Sequence, residues 1–220
     1  MGNSILVAKE SDIVEVDALT FYTEFTSRRH LLQNATRVIP RELEHYQKNC
    51  KHFLMLRDHS AGLAIEQSGR IISVFNAGEY HHAGTVLLTK AINLGGNKLE
   101  CFDVEQLRYI YMSNGFIPVS RYLCDLSDKE DLYLDFLKKE GRKNIYILFW
   151  IYRPMFNVYR KEDIVFRDVH IKTFETEEEA EKFRDKILKE CSSLDKLSQE
   201  LRDYLNTIII IKQDKEKNKD

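Results

Sequence analysis

Apolar positions recur at spacings of three and four through residues 12–30, where Val14, Ala18, Phe21, Tyr22 and Phe25 share one stripe, and the spacing predicts a helix. A second helix is predicted over 40–50, opened by Pro40 and continued by Leu43 and Tyr46. The period then changes. Phe53-Leu54-Met55-Leu56 is a short apolar run closed by Asp58-His59-Ser60, the pattern of a buried strand. Runs 62–66 and 71–76 are strand-like and are joined through Gln67-Ser68-Gly69-Arg70, whose glycine supplies the positive φ of a tight turn. This is the clearest hairpin in the chain.

Residues 85–94 return to helical spacing, with Val86, Leu87, Leu88, Ala91 and Ile92 inward and Gly95-Gly96 as the stop. A strand is predicted over 98–103, then a helix over 104–114 with Leu107, Ile110 and Tyr111 on its stripe and Asp103 as its N-cap. The strand that follows, 116–119, contains Pro118, which favours an edge or an end position. The succession hairpin, helix, strand, helix, strand is an α/β order.

Beyond residue 125 a charged helix is predicted over 126–141, a buried strand over 145–152 and a further strand within 165–174. Thr176 and Glu179 have the spacing of a capping box, opening a helix that runs to about Glu190. Another helix is predicted over 193–206, and 212–220 is a charged tail without packing residues. The stripes Ala180, Phe183, Ile187 and Leu194, Leu197, Leu201, Leu205 either pack on the core or form an arm for a protein partner or for self-association.

Charge narrows the partners. The 33 basic and 35 acidic side chains leave a formal charge of −2, which gives no electrostatic footprint for nucleic acid or for an anionic membrane. The longest apolar run, 145–152, falls far short of the roughly 20 residues of a membrane span. No secretory signal is expected at the start. Cys50, Cys101, Cys124 and Cys191 are widely spaced and form no metal-binding pair, so reduced thiols and a cytoplasmic location are expected. His81 and His82 are adjacent and point different ways, so no metal site is expected there.

Three pieces of this pattern resemble the GNAT superfamily of acyl-CoA-dependent N-acyltransferases, and the divergent GNAT-like proteins of phages and mobile elements. The strand 71–76 stands where that family's central strand offers the backbone of Val74, Phe75 and Asn76 to the pantetheine arm of acetyl-CoA. The segment from Glu79 through Tyr80, His81, His82, Ala83 and Gly84 to Thr85 stands where the family binds the cofactor's pyrophosphate at a helix N-terminus. Glu79 replaces the family's basic or amide residue and His82 its first glycine, while Gly84 is kept. In the third piece, from Leu107 to Phe116, Tyr111 stands four residues before Gly115, where many members carry the tyrosine that protonates the departing thiolate.

The resemblance is clearest over 61–121 and implies a mixed, mostly antiparallel sheet flanked by helices. It would make 1–152 the core, 153–211 a C-terminal extension of α/β to helical character and 212–220 a tail. Cofactor contacts would fall on Val74, Phe75, Asn76, His82, Ala83, Gly84 and Thr85, and catalytic roles on Tyr111 and on Glu79 or Glu66 as base. A carboxylate and a bulky side chain in the diphosphate loop weigh toward a non-catalytic binding or structural component. The alternative is an active acetyltransferase on an amine.

Overall fold

Parity along a strand decides which residues share a face, and among the described residues register shifts break it in three strand pairs, one of which shapes the fold. A computed structural model describes residues 6–32, 38, 40–78, 80–124, 145–153, 164–166, 171–191, 199, 203–205 and 209–211. The helix expected over 126–141, most of that over 193–206, and the tail lie outside these residues, as does Glu79. The described residues form an α/β fold with a mixed eight-stranded sheet flanked by helices and a separate two-stranded sheet. They divide into two units, one up to Glu100 and the other from Cys101 onward.

The first unit opens with a 3₁₀ turn, Glu10–Asp12, and a short strand β1, Ile13–Glu15. Helix α1, Ala18–Arg28, therefore starts later than its stripe suggested. Val14 belongs to β1, which pairs antiparallel with residues 54–56, because Asp17 caps α1 at that point. The Asp17 carboxylate accepts from the Thr20 backbone N–H and from its hydroxyl, both at 2.9 Å. Helix α2, Leu43–Asn49, begins three residues after Pro40, so the proline precedes the helix and does not sit in its first turn. Strands β2, Cys50–Leu56, β3, Ala61–Glu66, and β4, Arg70–Asn76, then form an antiparallel meander. Gly69 turns the second hairpin with φ +82°, where an added Cβ would lie 2.8 Å from Asn97 Oδ1.

Side chains alternate across β3 and, past a register shift between Cys50 and His52, along β2. Phe53, Met55 and Ala64 join Phe21, Phe25 and Tyr46 in an aromatic core under α1 and α2. Phe25 stacks on Phe75 with ring centres 4.9 Å apart, and Phe21 lies 5.4 Å from both Tyr46 and Phe53. Every residue of β3 is buried, as expected of a strand covered on both faces. The second cover is α3, Ala83–Asn93, which packs Ala83, Leu87, Leu88 and Ala91 against β2, β3 and β4. Strand β5, Lys98–Phe102, starts parallel to β4 and pairs with it only at Arg70 with Lys98 and Ile71 with Leu99.

In the second unit α4 spans Glu105–Ser113 and β6 Phe116–Cys124. Val104, not Asp103, is the N-cap of α4; Asp103 is buried, donates its N–H to the Tyr146 carbonyl at 2.8 Å and pairs through its carboxylate with Arg108. Strand β7, Ile145–Tyr152, runs antiparallel to β6 along its whole length. Pro118 is tolerated inside β6 because it stands at a register shift, and because the neighbour on the other side, β9 (Lys172–Phe174), pairs only from Ser120 onward. The stretch expected as one strand is split into β8, Ile164–Phe166, and β9, and β8 pairs with β10, Ile209–Ile211. Strand order in the large sheet is β1-β2-β3-β4-β5-β7-β6-β9.

Helix α5, Glu177–Cys191, starts at the expected capping box: the Glu179 N–H donates to Thr176 Oγ1 at 3.2 Å and the Thr176 N–H to Glu179 Oε2 at 3.3 Å. Its stripe packs on β6 and β7, with Ile187 and Leu205 meeting Ile117, Val119 and Ile151. The Tyr204 hydroxyl donates to the Val119 carbonyl at 2.6 Å and accepts the Lys172 N–H at 2.9 Å. Arg184 is fully buried, its guanidinium 5.3 Å from the Phe149 ring and bonded to Glu181 and Asp185 at 2.7 and 2.8 Å. Among the described residues no helix is long and apolar enough to cross a membrane.

The cap makes the stability of α1 depend on pH. The Thr20 bonds hold the Asp17 carboxyl below its ordinary value. A lowered folded-state pKa stabilises above the unfolded value and ceases to do so as pH falls through the folded one. Asp17→Ala is expected to lower the urea midpoint at neutral pH, with the gap to the parent protein narrowing on acidification to about pH 2.

Candidate functional site

The segment from β4 to α3 in the first unit holds most of the residues singled out from the sequence. Strand β4 enters it with an irregularity: Gly62 of β3 faces Phe75 and Ala64 faces Ile72, so Leu63 opposes two residues, Ser73 and Val74. That is a β-bulge, and Ser73 carries its strain with φ +53°. Ile72 and Phe75, three apart, consequently face the same aromatic core. From Ile72 onward β4 has no pairing with β5 among the described residues. Phe75 is buried, with 3% of the residue exposed, while Val74 is half-buried and Asn76 exposed.

Beyond β4 the chain is shaped by its own polar groups. Asn76 Oδ1 accepts the Gly78 N–H at 3.1 Å, and the Asn76 amide donates to the Tyr80 carbonyl at 3.4 Å. The Ala77 N–H donates to the Ser60 carbonyl at 2.7 Å. His81 is held on both sides, donating to the Leu6 carbonyl at 2.9 Å and accepting the Ala8 N–H at 3.1 Å. Its amide is thus committed to the N-terminal segment.

His82 is the N-cap of α3 and lies in the left-handed region, φ +64° and ψ +8°, with no side-chain cap bond. A glycine would occupy this conformation without strain. Helix α3 closes its first hydrogen bond from the Val86 N–H to the His82 carbonyl at 3.0 Å, so the N–H groups of Ala83, Gly84 and Thr85 lie ahead of its ladder. They carry the positive end of the helix dipole. An added Cβ at Gly84 would meet no heavy atom within 4 Å, so the first turn opens onto free space there. Ala83 is buried as a whole residue.

Glu66, one candidate base, closes β3 next to the Ile65–Ile71 pair, at the end of the hairpin opposite Asn76 and its partner Ala61. Its carboxylate is engaged by His45 at 3.0 Å and by the Ser68 hydroxyl at 3.3 Å. The structure therefore brings Val74 to Asn76 and His82 to Thr85 into one strand-loop-helix segment and leaves Glu66 outside it. Among the described residues no group of three His, Cys, Asp or Glu could hold a metal ion.

Tyr111 lies in the second unit. It faces the interior of α4, 6% exposed, with its ring 5.8 Å from Trp150 and 6.3 Å from Phe116. Burial pushes its phenol above the usual value, and the neighbouring Cys101 adds to the rise. A phenol in that position is a poor match for proton transfer near neutral pH.

The pattern along β4 missed Ser73 and its buried partner Tyr46, whose hydroxyls are 2.6 Å apart. One signal was present: Ile71 and Ile72 are consecutive apolar residues, and the next large apolar side chain on the core face, Phe75, is an odd number of positions on from Ile72.

Comparison with protein-family models, with curated proteins and with solved structures finds no match to this chain. What the fold and this segment define is an α/β protein with a bulged central strand that leads into a helix N-terminus whose N-cap, His82, makes no side-chain cap bond.

The packing of Tyr111 predicts a large loss when its ring is removed. Tyr111→Ala is expected to cost about 3–5 kcal/mol and Tyr111→Phe less than about 1.5 kcal/mol, measured by chemical denaturation.

Proposed function

We propose that this chain is a GNAT-fold protein that keeps the backbone seat of an acyl-CoA-type ligand and acts as a non-catalytic binding component. The observation that carries the reading is the bulge at Ser73 and Val74 together with the parting of β4 from its parallel neighbour β5, whose two residue pairs end at Ile71, just before the bulge. In the family that this chain resembles, such a parting accommodates the pantetheine arm. An extended amide chain suits the edge of β4 that β5 leaves unpaired, because it can pair with the strand's backbone groups. The N–H groups of Ala83, Gly84 and Thr85 suit the diphosphate, since a helix N-terminus favours an anion and Gly84 leaves room for it.

The side chains argue against turnover. Tyr111 is buried among aromatic rings and its proton is held more tightly than in water. Glu66 is engaged by His45 and stands away from the loop. Glu79 would bring a negative charge toward the phosphates. The ligand, when bound, would supply an activated acyl group, and the residues of this chain would orient it through backbone contacts. The second reading is an N-acetyltransferase, favoured by the open first turn of α3 at Gly84.

Calorimetry with CoA tests the proposal. A micromolar dissociation constant is expected. Because the space at Gly84 is open, Gly84→Trp should leave the melting temperature unchanged while weakening CoA at least about tenfold by blocking the diphosphate. Absence of heat at millimolar CoA would overturn the reading. Acetyl transfer to a panel of amines that Tyr111→Phe slows without changing CoA affinity would favour the transferase instead.

A further inference from the structure

We infer that Tyr46 is a positioning residue that holds the β4 bulge open through Ser73, so that a residue of α2 sets the geometry of the ligand edge. The inference rests on the acyl-CoA reading for its ligand and on the first unit alone for its geometry. Ser73 adopts φ +53°, a conformation unfavourable for a residue with a Cβ and ordinarily given to glycine or asparagine. A serine persists there only when its surroundings over-determine it.

Tyr46 supplies that determination. Its hydroxyl lies 2.6 Å from Ser73 Oγ and accepts the Arg41 N–H at 3.2 Å. Tyr46 is fully buried, and Phe21 at 5.4 Å with Tyr22 and Phe53, both at 6.2 Å, fixes its ring. The phenol oxygen is thus a fixed point to which the bulge is tied. If the tie is cut, β4 is free to sample regular alternation. In that state Val74 and Phe75 exchange faces, and the edge of Val74 to Asn76 loses the conformation in which it parts from β5. The stacking of Phe75 on Phe25 opposes the exchange, so loss of the hydroxyl loosens the bulge and does not abolish it.

The test compares Tyr46→Phe, Ser73→Ala, Ser73→Gly and the double variant Tyr46→Phe with Ser73→Gly. Amide hydrogen exchange at Ser73 to Asn76 is followed without ligand, and CoA affinity is measured by calorimetry. Tyr46→Phe and Ser73→Ala should each speed exchange of the Val74 to Asn76 amides about tenfold relative to the remainder of β3 and β4, and weaken CoA by a similar factor. The double variant should recover both quantities, because glycine holds positive φ without help from a hydroxyl. Exchange that rises evenly over the whole unit, with no recovery in the double variant, would overturn the inference and leave Tyr46 a core residue only. If Tyr46→Phe fails to fold, Ser73→Ala carries the same comparison with the phenol intact. If the parent protein does not bind CoA, the acyl-CoA reading fails while the exchange pattern still decides the role of Tyr46.

Discussion

A strand has a side-chain period of two, and β4 must send both Ile72 and Phe75 into the same core although they are three residues apart. The single extra residue at Ser73 and Val74 resolves this conflict. The rest of the first unit depends on that solution. Phe75 reaches Phe25 and Phe21 only because parity is shifted, and the aromatic core beneath α1 and α2 closes around it. Each of these fully buried rings contributes roughly 1.5–3 kcal/mol from apolar burial, which outweighs the cost of about 1–3 kcal/mol for one residue in a strained conformation. The bulge persists because the packing of several rings and the contact of the Tyr46 hydroxyl with Ser73 together over-determine it.

The same irregularity has a consequence on the strand's outer edge. A bulged strand bends and twists more strongly than its neighbours, and here the bulge lies just past the last pair with the parallel neighbour. Strand β5 stays with β4 for two residue pairs and then leaves. Core packing on one side thus accompanies unpaired backbone on the other, the edge that the proposed ligand would use. The helix that follows adds a complementary feature at the end of this edge: three N–H groups ahead of the α3 ladder, uncapped by His82 and unobstructed at Gly84. Polar bonds of Asn76, Ser60 and His81 set the path of the described loop residues between them, and none needs a ligand to form.

Side chains and backbone tell different stories about chemistry. The proposed ligand contacts are almost all main-chain groups, which survive substitution of the residues around them. Among the described residues, the groups that would move protons are either engaged or withdrawn: Glu66 by His45, and Tyr111 by burial against Trp150 and Phe116. This division underlies the proposal of a binding component, since a seat made of backbone can outlast the loss of its catalytic side chains. His82 illustrates the point. It stands where glycine would be at ease, yet the chain still takes the left-handed turn that starts α3.

Local signals in the sequence determined most of the elements. The hairpin at Gly69, the helix after His82, the buried run Ile145–Tyr152 and the capping box of Thr176 and Glu179 were legible because each depends on a short-range pattern or on one turn residue. The α/β order was legible for the same reason. Tertiary structure alone decided the short strand at Ile13–Glu15, the role of Asp103 as a buried partner of Arg108 and the burial of Tyr111. It also decided the bulge. Whether Ser73 continues an alternating strand or interrupts it depends on where Tyr46 and Phe25 lie, and these are 27 and 48 positions away in the chain, beyond the reach of any local period.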